Sequence, residues 1–301
     1  MAATKKGEKP YAVWCTLLTG SWLQPPTAED YVRVAQRAEE LGYHSLWLAD
    51  HLIIPEKIAA PYPWTEDGSV GFPRRTPFPD PFVLLSYIAA KTQKILLGTS
   101  VLIVPYRNPL HVAKAVATVD MVSGGRFLFG VGVGWLKEEF DALGENFSER
   151  GKRTREYIQI MRALWQGGPV SFAGNFFHFA EVYAIPTPVQ KPHPPIIFGG
   201  ESSAAVKRVA DLGDGWQPGS MPQEVLRERI SQLKELMAQK GRDFSRLSLA
   251  MVSSPEELKQ KPELLSQLRE LGVEQMILAF TGAHAQDTIS QLEDCARVVM
   301  K

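Results

Sequence analysis

The sequence predicts an α/β protein of the (β/α)8 barrel type, and three observations predict it. Short apolar runs recur along the chain, helical patterns with clear start and stop signals stand between them, and sharing the length among eight units leaves about 38 residues for each strand, helix and pair of loops. The runs are Tyr11 to Leu18, Ser45 to Ala49, Ile95 to Val104, Arg126 to Val133, Pro195 to Phe198, Gly213 to Gln217, Leu247 to Val252 and Val273 to Phe280. Each is nearly continuous in aliphatic and aromatic residues rather than alternating, as expected of a strand buried on both faces in a parallel sheet. An open doubly wound sheet has no need of the eighth.

The elements follow in order. After the first strand, Thr27 and Asp30 make a capping box; Tyr31, Val32, Ala35, Ala38 and Leu41 fall on one side of the helix that follows, which stops at Gly42. The second strand leads into His51 to Asp80, which holds six of the 22 prolines together with Tyr62, Trp64, Phe72 and Phe78. Such a loop after a strand end either packs against the barrel rim or, as expected where barrel active sites are built, acts as a lid or binding wall. The third strand, Ile95 to Pro105, is too long for a barrel and implies a bulge. A helix then opens at Asn108 with Pro109 in its first turn and ends at Gly124-Gly125. Before the fifth strand, residues 169–195 form a second insertion that contains a hairpin-like stretch, Val170 to His178, followed by five prolines. Ser254, Pro255 and Glu257 repeat the helix-start signal late in the chain. The whole, 1–301, is read as one domain.

Composition excludes several functions. The 33 basic and 33 acidic residues cancel, and no block of like charges marks a nucleic-acid or anionic membrane partner. The two cysteines, Cys15 and Cys295, have no metal or redox spacing, so no metal is expected. Met1 to Pro10 is polar, and no segment is apolar enough to cross a membrane, so a cytoplasmic, reduced protein is expected.

Chemistry is sought just past each strand. Asp50 and His51 end the second strand; they offer an acceptor and a titrating imidazole to a ligand, or else a turn cap and a half-exposed histidine. The glycines at 130, 132 and 134 lack dinucleotide-fold spacing and either let a ligand ring lie on backbone or make room for packing. Gly199-Gly200, entering a helix from about Ser203, offers backbone N–H groups to a phosphate or serves a turn with positive φ.

At these residues the sequence resembles the bacterial luciferase-like family, most closely its deazaflavin-dependent branch. The resemblance rests on Leu46-Trp-Leu-Ala-Asp-His51, Leu97-Gly-Thr-Ser-Val-Leu102, Tyr106-Arg-Asn-Pro-Leu110, Ser123-Gly-Gly-Arg-Phe127, Gly130-Val-Gly-Val-Gly-Trp135, Arg150-Gly-Lys-Arg153 and Gly213-Asp-Gly-Trp216. It implies a TIM barrel with insertions and a tricyclic ring across the barrel mouth. Asp50 and His51 would contact the ring, Ser100-Val101 would form the bulge behind it with a non-proline cis peptide, Val133 and Gly134 would line its edge, and Gly199-Gly200 would hold the tail phosphate. His51 matches the active-site histidine of the family's deazaflavin-linked sugar-phosphate dehydrogenases. Two departures from those enzymes, Trp135 in place of a glutamate acid and Pro222 near a phosphate-binding lysine, point away from sugar phosphates. An apolar or planar substrate beside Trp135 and Trp64 is expected instead, with Glu138 and Glu139 as further acid candidates. The implied activity is hydride transfer between reduced coenzyme F420 and a small organic substrate. An FMN-dependent monooxygenase and a flavin-binding paralogue without turnover are the alternatives, and a homodimer through barrel-flanking helices is the expected assembly.

Overall fold

The computed structural model describes residues 11–17, 26–65, 67–282 and 284–299; Leu18 and Met1 to Pro10, used in the sequence reading, lie outside the described residues. The first half of the chain runs β1 (Tyr11–Leu17), α1 (Ala28–Leu41), β2 (Ser45–Leu48), α2 (Pro81–Lys91), β3 (Leu96–Thr99), β4 (Leu102–Ile103), α3 (Pro109–Val122), β5 (Phe127–Gly132), α4 (Lys137–Ala142) and α5 (Arg150–Leu164). It continues with β6 (Val170–Ala173), β7 (His178–Val182), β8 (Ile196–Gly199), α6 (Ser203–Leu212), β9 (Gly215–Gln217) and α7 (Gln223–Gln239). The chain closes with β10 (Ser248–Ser253), α8 (Pro255–Gln260), α9 (Leu264–Glu270), β11 (Gln275–Gly282) and α10 (Ala285–Val299).

The sheet is parallel throughout. Pairings run β1, β2, β3, β5, β8, β9, β10, β11, and β11 pairs again with β1, so the order returns on itself like the staves of a barrel. Each of these strands overlaps one of the apolar runs read from the sequence. The helices cover the outside, and their buried stripes make the main core with the outward faces of the strands. Inside the ring a smaller core gathers Trp47, Ile197, Ala250 and Ile277. Trp47 fits there because its neighbour across the strands is a glycine: a Cβ at Gly98 would stand 2.3 Å from the indole.

Local signals act as expected. Asp30 N–H donates to Thr27 Oγ1 at 3.3 Å while Thr27 N–H donates to the Asp30 carboxylate at 2.9 Å, and Gly42 ends α1 with φ 80°. Asn108 Oδ1 accepts from Leu110 N–H at the start of α3, and Ser254 Oγ accepts from Glu257 N–H at the start of α8. The long third run divides into β3 and β4, and the peptide between Ser100 and Val101 is cis.

At the glycines of β5 the structure takes the packing reading, with a neighbouring strand as the partner. A Cβ at Gly130 would lie 1.7 Å from the Thr99 carbonyl oxygen, and one at Gly132 would lie 2.4 Å from Val101 Cγ2. The space these glycines leave is therefore filled by the bulge of the neighbouring strand, not by a ligand ring. The two insertions also part ways. Residues of 51–80 fold over the barrel mouth, whereas β6 and β7 pair antiparallel and the hairpin tip is tied to α5, where the Glu156 carboxylate accepts the N–H groups of Asn175, Phe176 and Phe177 at 2.7 to 2.9 Å. None of residues 169–195 lines the cavity described next.

Candidate active site

The C-terminal ends of the barrel strands open into a cavity of about 350 Å³. Ala49, Asp50 and His51 follow β2, Ser100 and Val101 form the bulge after β3, Gly134 and Trp135 follow β5, and Gly199 to Glu201 end β8. Tyr62, Trp64, Gly71, Phe72 and Phe78 of the insertion close the outer side. Their rings meet edge to face: Tyr62 with Trp135 at 5.1 Å, Tyr62 with Trp64 at 5.2 Å, and Phe72 with Phe78 at 5.3 Å between centroids. The wall is thus aromatic, with few polar groups placed in it, as in small-molecule sites.

His51 is the central polar group. Its ring packs against Phe78, Phe72 and Trp135, and its Nδ1 lies 2.7 Å from Glu139 Oε2. The Glu139 side chain is fully buried, while that of His51 keeps 10% of its surface. The other carboxylate oxygen of Glu139 accepts the N–H groups of Leu52 at 2.8 Å and Ile53 at 3.2 Å. Burial pushes the Glu139 carboxyl up, but the His51 bond and charge, the Ile53 N–H and the Tyr106 hydroxyl outweigh it and hold the group below its ordinary value. A carboxylate facing Nδ1 requires the proton there, which leaves Nε2 as the nitrogen available to a ligand.

Other residues singled out in the sequence serve differently. Asp50 stands in the cavity wall, yet both of its oxygens are engaged by the protein: Arg107 donates to them at 2.7 and 2.8 Å, and Ile103 N–H donates at 2.8 Å. It fixes the backbone after the bulge, and Oδ1, which accepts a single bond from Arg107, keeps acceptor capacity toward the cavity. Glu138 is held at the insertion, accepting from Ala59 N–H at 2.7 Å and Ala60 N–H at 3.0 Å. Val133 is half-buried and lies outside the cavity lining, whereas Gly134 lines it with φ 80°, a backbone shape suited to glycine, and no space for a side chain beside Phe140 and Ile103. Trp64 reaches across the mouth and donates through Nε1 to Glu201 Oε1 at 3.1 Å, which also accepts Gly219 N–H at 2.7 Å.

At Gly199-Gly200 the chain turns into α6. Gly200 has φ 97°, and Ser202 caps the helix by accepting from Ala205 N–H at 3.2 Å. Arg229 of α7 reaches Ser203 Oγ at 3.1 Å. A helix N-terminus with an arginine beside it offers partial and full positive charge to an anion.

Two residues escaped the sequence reading. Gln217 ends β9 in the cavity wall and donates through Nε2 to Ser100 Oγ at 2.5 Å. Tyr106, whose hydroxyl is pushed up by burial and by the nearby charges of Glu139 and Asp50, also lines the cavity. The available signal for Gln217 was a polar residue closing a run otherwise fit for a buried strand.

Comparison with known proteins assigns the family. The sequence profile of the luciferase-like monooxygenases matches residues 10–286, and the chain belongs to that family. An uncharacterized protein of Mycobacterium tuberculosis strain H37Rv is 33% identical over 264 residues, 87% of this chain and 91% of that protein. The F420-dependent glucose-6-phosphate dehydrogenase of Amycolatopsis mediterranei is 33% identical over 191 residues, 62% of this chain and 52% of that protein. An FMNH2-dependent dimethylsulfone monooxygenase of Pseudomonas putida is 32% identical over 157 residues, 51% and 43% of the two chains. Among solved structures, the monooxygenase RslO1 of Streptomyces bottropensis superposes with a TM-score of 0.77 at 20% identity, covering 97% of this chain and 99% of that one. An F420-dependent secondary alcohol dehydrogenase, in complex with an F420-acetone adduct, superposes with a TM-score of 0.74 at 19% identity and the same coverage. The two superpositions establish the shared fold.

Proposed function

We propose that this protein is a cytoplasmic oxidoreductase that moves a hydride between reduced coenzyme F420 and an apolar or planar organic substrate. We read its frame as a (β/α)8 barrel with insertions at 51–80 and 169–195. The observation that carries the reading is His51, fixed by the buried Glu139 carboxylate at the edge of an aromatic cavity past the strand ends. The residues present suit a planar ring. The cavity volume, about 350 Å³, falls within the range of cofactor sites. Gly134 and Gly200 present bare backbone, the buried Gln217 oxygen has no partner among the described residues, and Ser203 with Arg229 stands ready for an anionic tail.

When bound, the deazaflavin supplies a carbon that gives or takes a hydride as a two-electron unit. The chain's own work is to orient and to handle charge. The aromatic wall excludes water and holds a flat substrate by its faces. His51 holds or passes a proton at Nε2 as charge appears on a substrate oxygen, and Glu139 keeps the ring in place and balances the imidazolium when it forms. Trp135 and Trp64 shape the substrate side.

Relatives that use FMNH2 support a second reading, a reduced-flavin monooxygenase on the same frame. Mixing the protein with reduced F420 or reduced FMN, with and without oxygen, and following coenzyme absorbance separates the two. Oxygen-independent oxidation of reduced F420 by an added carbonyl or alkene acceptor is the expected result. Oxygen-dependent consumption of FMNH2 alone would favour the monooxygenase, and tight binding of either coenzyme without turnover would mark a non-catalytic paralogue. We also propose a homodimer formed through flanking helices, supported by Val83 (72% exposed) and Tyr87 (39% exposed) one turn apart on α2. Sedimentation equilibrium should give twice the chain mass, and Val83→Glu should shift it towards the single-chain value.

A further inference from the structure

Gln217 is 4% exposed, stands in the cavity wall at the end of β9, and has a carboxamide oxygen without a hydrogen-bond partner among the described residues. Among the described residues lining the cavity it is the one with such an orphaned side-chain oxygen. A primary carboxamide carries two N–H donors and one carbonyl acceptor. Here a single donor contact is made, from Nε2 to Ser100 Oγ at 2.5 Å, so one N–H and the carbonyl remain to be matched. No partner among the described residues matches them: Val101, Val252, Ala279 and Phe280, which line the same cavity, are apolar, and Asp50 and Glu139 bond to other groups. Buried acceptors are rarely left without a donor, and where one is, a ligand that brings the donor gains from it.

A group that offers an N–H beside a carbonyl complements this free donor and acceptor. The pyrimidinedione half of a deazaflavin or flavin carries that pair, an imide N–H flanked by carbonyls, whereas an apolar substrate does not. We propose that Gln217 is a positioning residue for the coenzyme, accepting from the imide N–H and donating to an adjoining ring carbonyl. With His51 it would give the aromatic cavity two polar fixed points, one for the coenzyme edge and one for substrate charge. The inference rests on the coenzyme reading above but not on which tricyclic ring is used, since both share the imide.

The test is a binding cycle, read by fluorescence of the protein titrated with F420, with FMN, and with the form of each methylated at the imide nitrogen. Methylation should weaken binding of whichever coenzyme the wild type prefers by about tenfold or more. Gln217→Met, equal in length and without polar atoms, should weaken the parent coenzyme by a similar factor and erase the difference between parent and methylated forms. Gln217→Glu, which keeps an acceptor, should retain that difference, so that either variant that folds, as judged by its melting curve, reads out the cycle. An unchanged methylation penalty in Gln217→Met, or a wild type indifferent to methylation, would overturn the role of Gln217 while leaving the coenzyme reading intact. A wild type that binds neither ring system would overturn both.

Discussion

At the scale of single residues, the site turns on two neighbouring glutamates with unlike duties. Glu138 and Glu139 follow one another in α4, yet only Glu139 falls on the side shared by Leu136, Phe140 and Leu143, which the helix turns inward. The sequence reading puts the two together as acid candidates, and it is the folded stripe that explains why Glu139 reaches His51 while Glu138 holds the insertion at Ala59 and Ala60. The substitution His51→Asn, close in size but unable to titrate, should leave the melting temperature within a few degrees and coenzyme affinity within about tenfold, and lower kcat by roughly 10² or more. A stable variant with full turnover would remove His51 from the chemistry. Glu139→Gln keeps an acceptor for Leu52 and Ile53 but removes the negative charge from Nδ1. It should lower kcat by about tenfold or more, with little change in KM, and alter the pH–rate profile. A profile that keeps its shape while stability drops would show a role confined to packing.

At the scale of elements, the strands and caps were legible because each obeys a local rule, and the parts that were not legible depend on contacts far apart in sequence. Thr27, Asp30 and Gly42 signal α1 within one stretch of chain. Gly130 is different, because its neighbour is the Thr99 carbonyl on β3, and no local pattern distinguishes a glycine that faces a ligand from one that faces another strand. For the same reason the sequence marks Asp50 as a residue past a strand end but is silent on Arg107 as its partner. The glycine argument is testable. Gly130→Ala places a methyl group on a backbone oxygen that no side-chain rotation can clear, so the variant should lose more than about 4 kcal/mol of stability or fail to accumulate in soluble form. Gly168→Ala, where nothing lies within 4 Å and φ is not positive, should melt with the wild type to within about 0.5 kcal/mol. Equal melting of the two variants would mean that β3 and β5 can part without cost.

At the scale of the whole molecule, three carboxylates tie the barrel to the 51–80 insertion, two of them on α4 and the third between β8 and α6. Glu139 accepts the insertion's first N–H groups, Glu138 accepts those at Ala59 and Ala60, and Glu201 takes the indole N–H of Trp64 near the tip. The first two hold backbone; the last holds one side chain that is 47% exposed, so it is the fastening most easily opened. Opening at Trp64 would admit ligand while Glu139 still holds His51 at the start of the insertion. Trp64→Phe keeps an aromatic ring against Tyr62 and removes only the donor to Glu201. The expected result is a melting temperature within a few degrees of wild type, with tryptic cleavage at Lys57, Arg74 or Arg75 and coenzyme release both faster by about two- to tenfold. Glu201→Gln leaves an acceptor for both N–H groups and should change these rates less. If Trp64→Phe and the wild type are cut and release coenzyme at the same rates, the insertion is a fixed wall, and ligand must enter by another route.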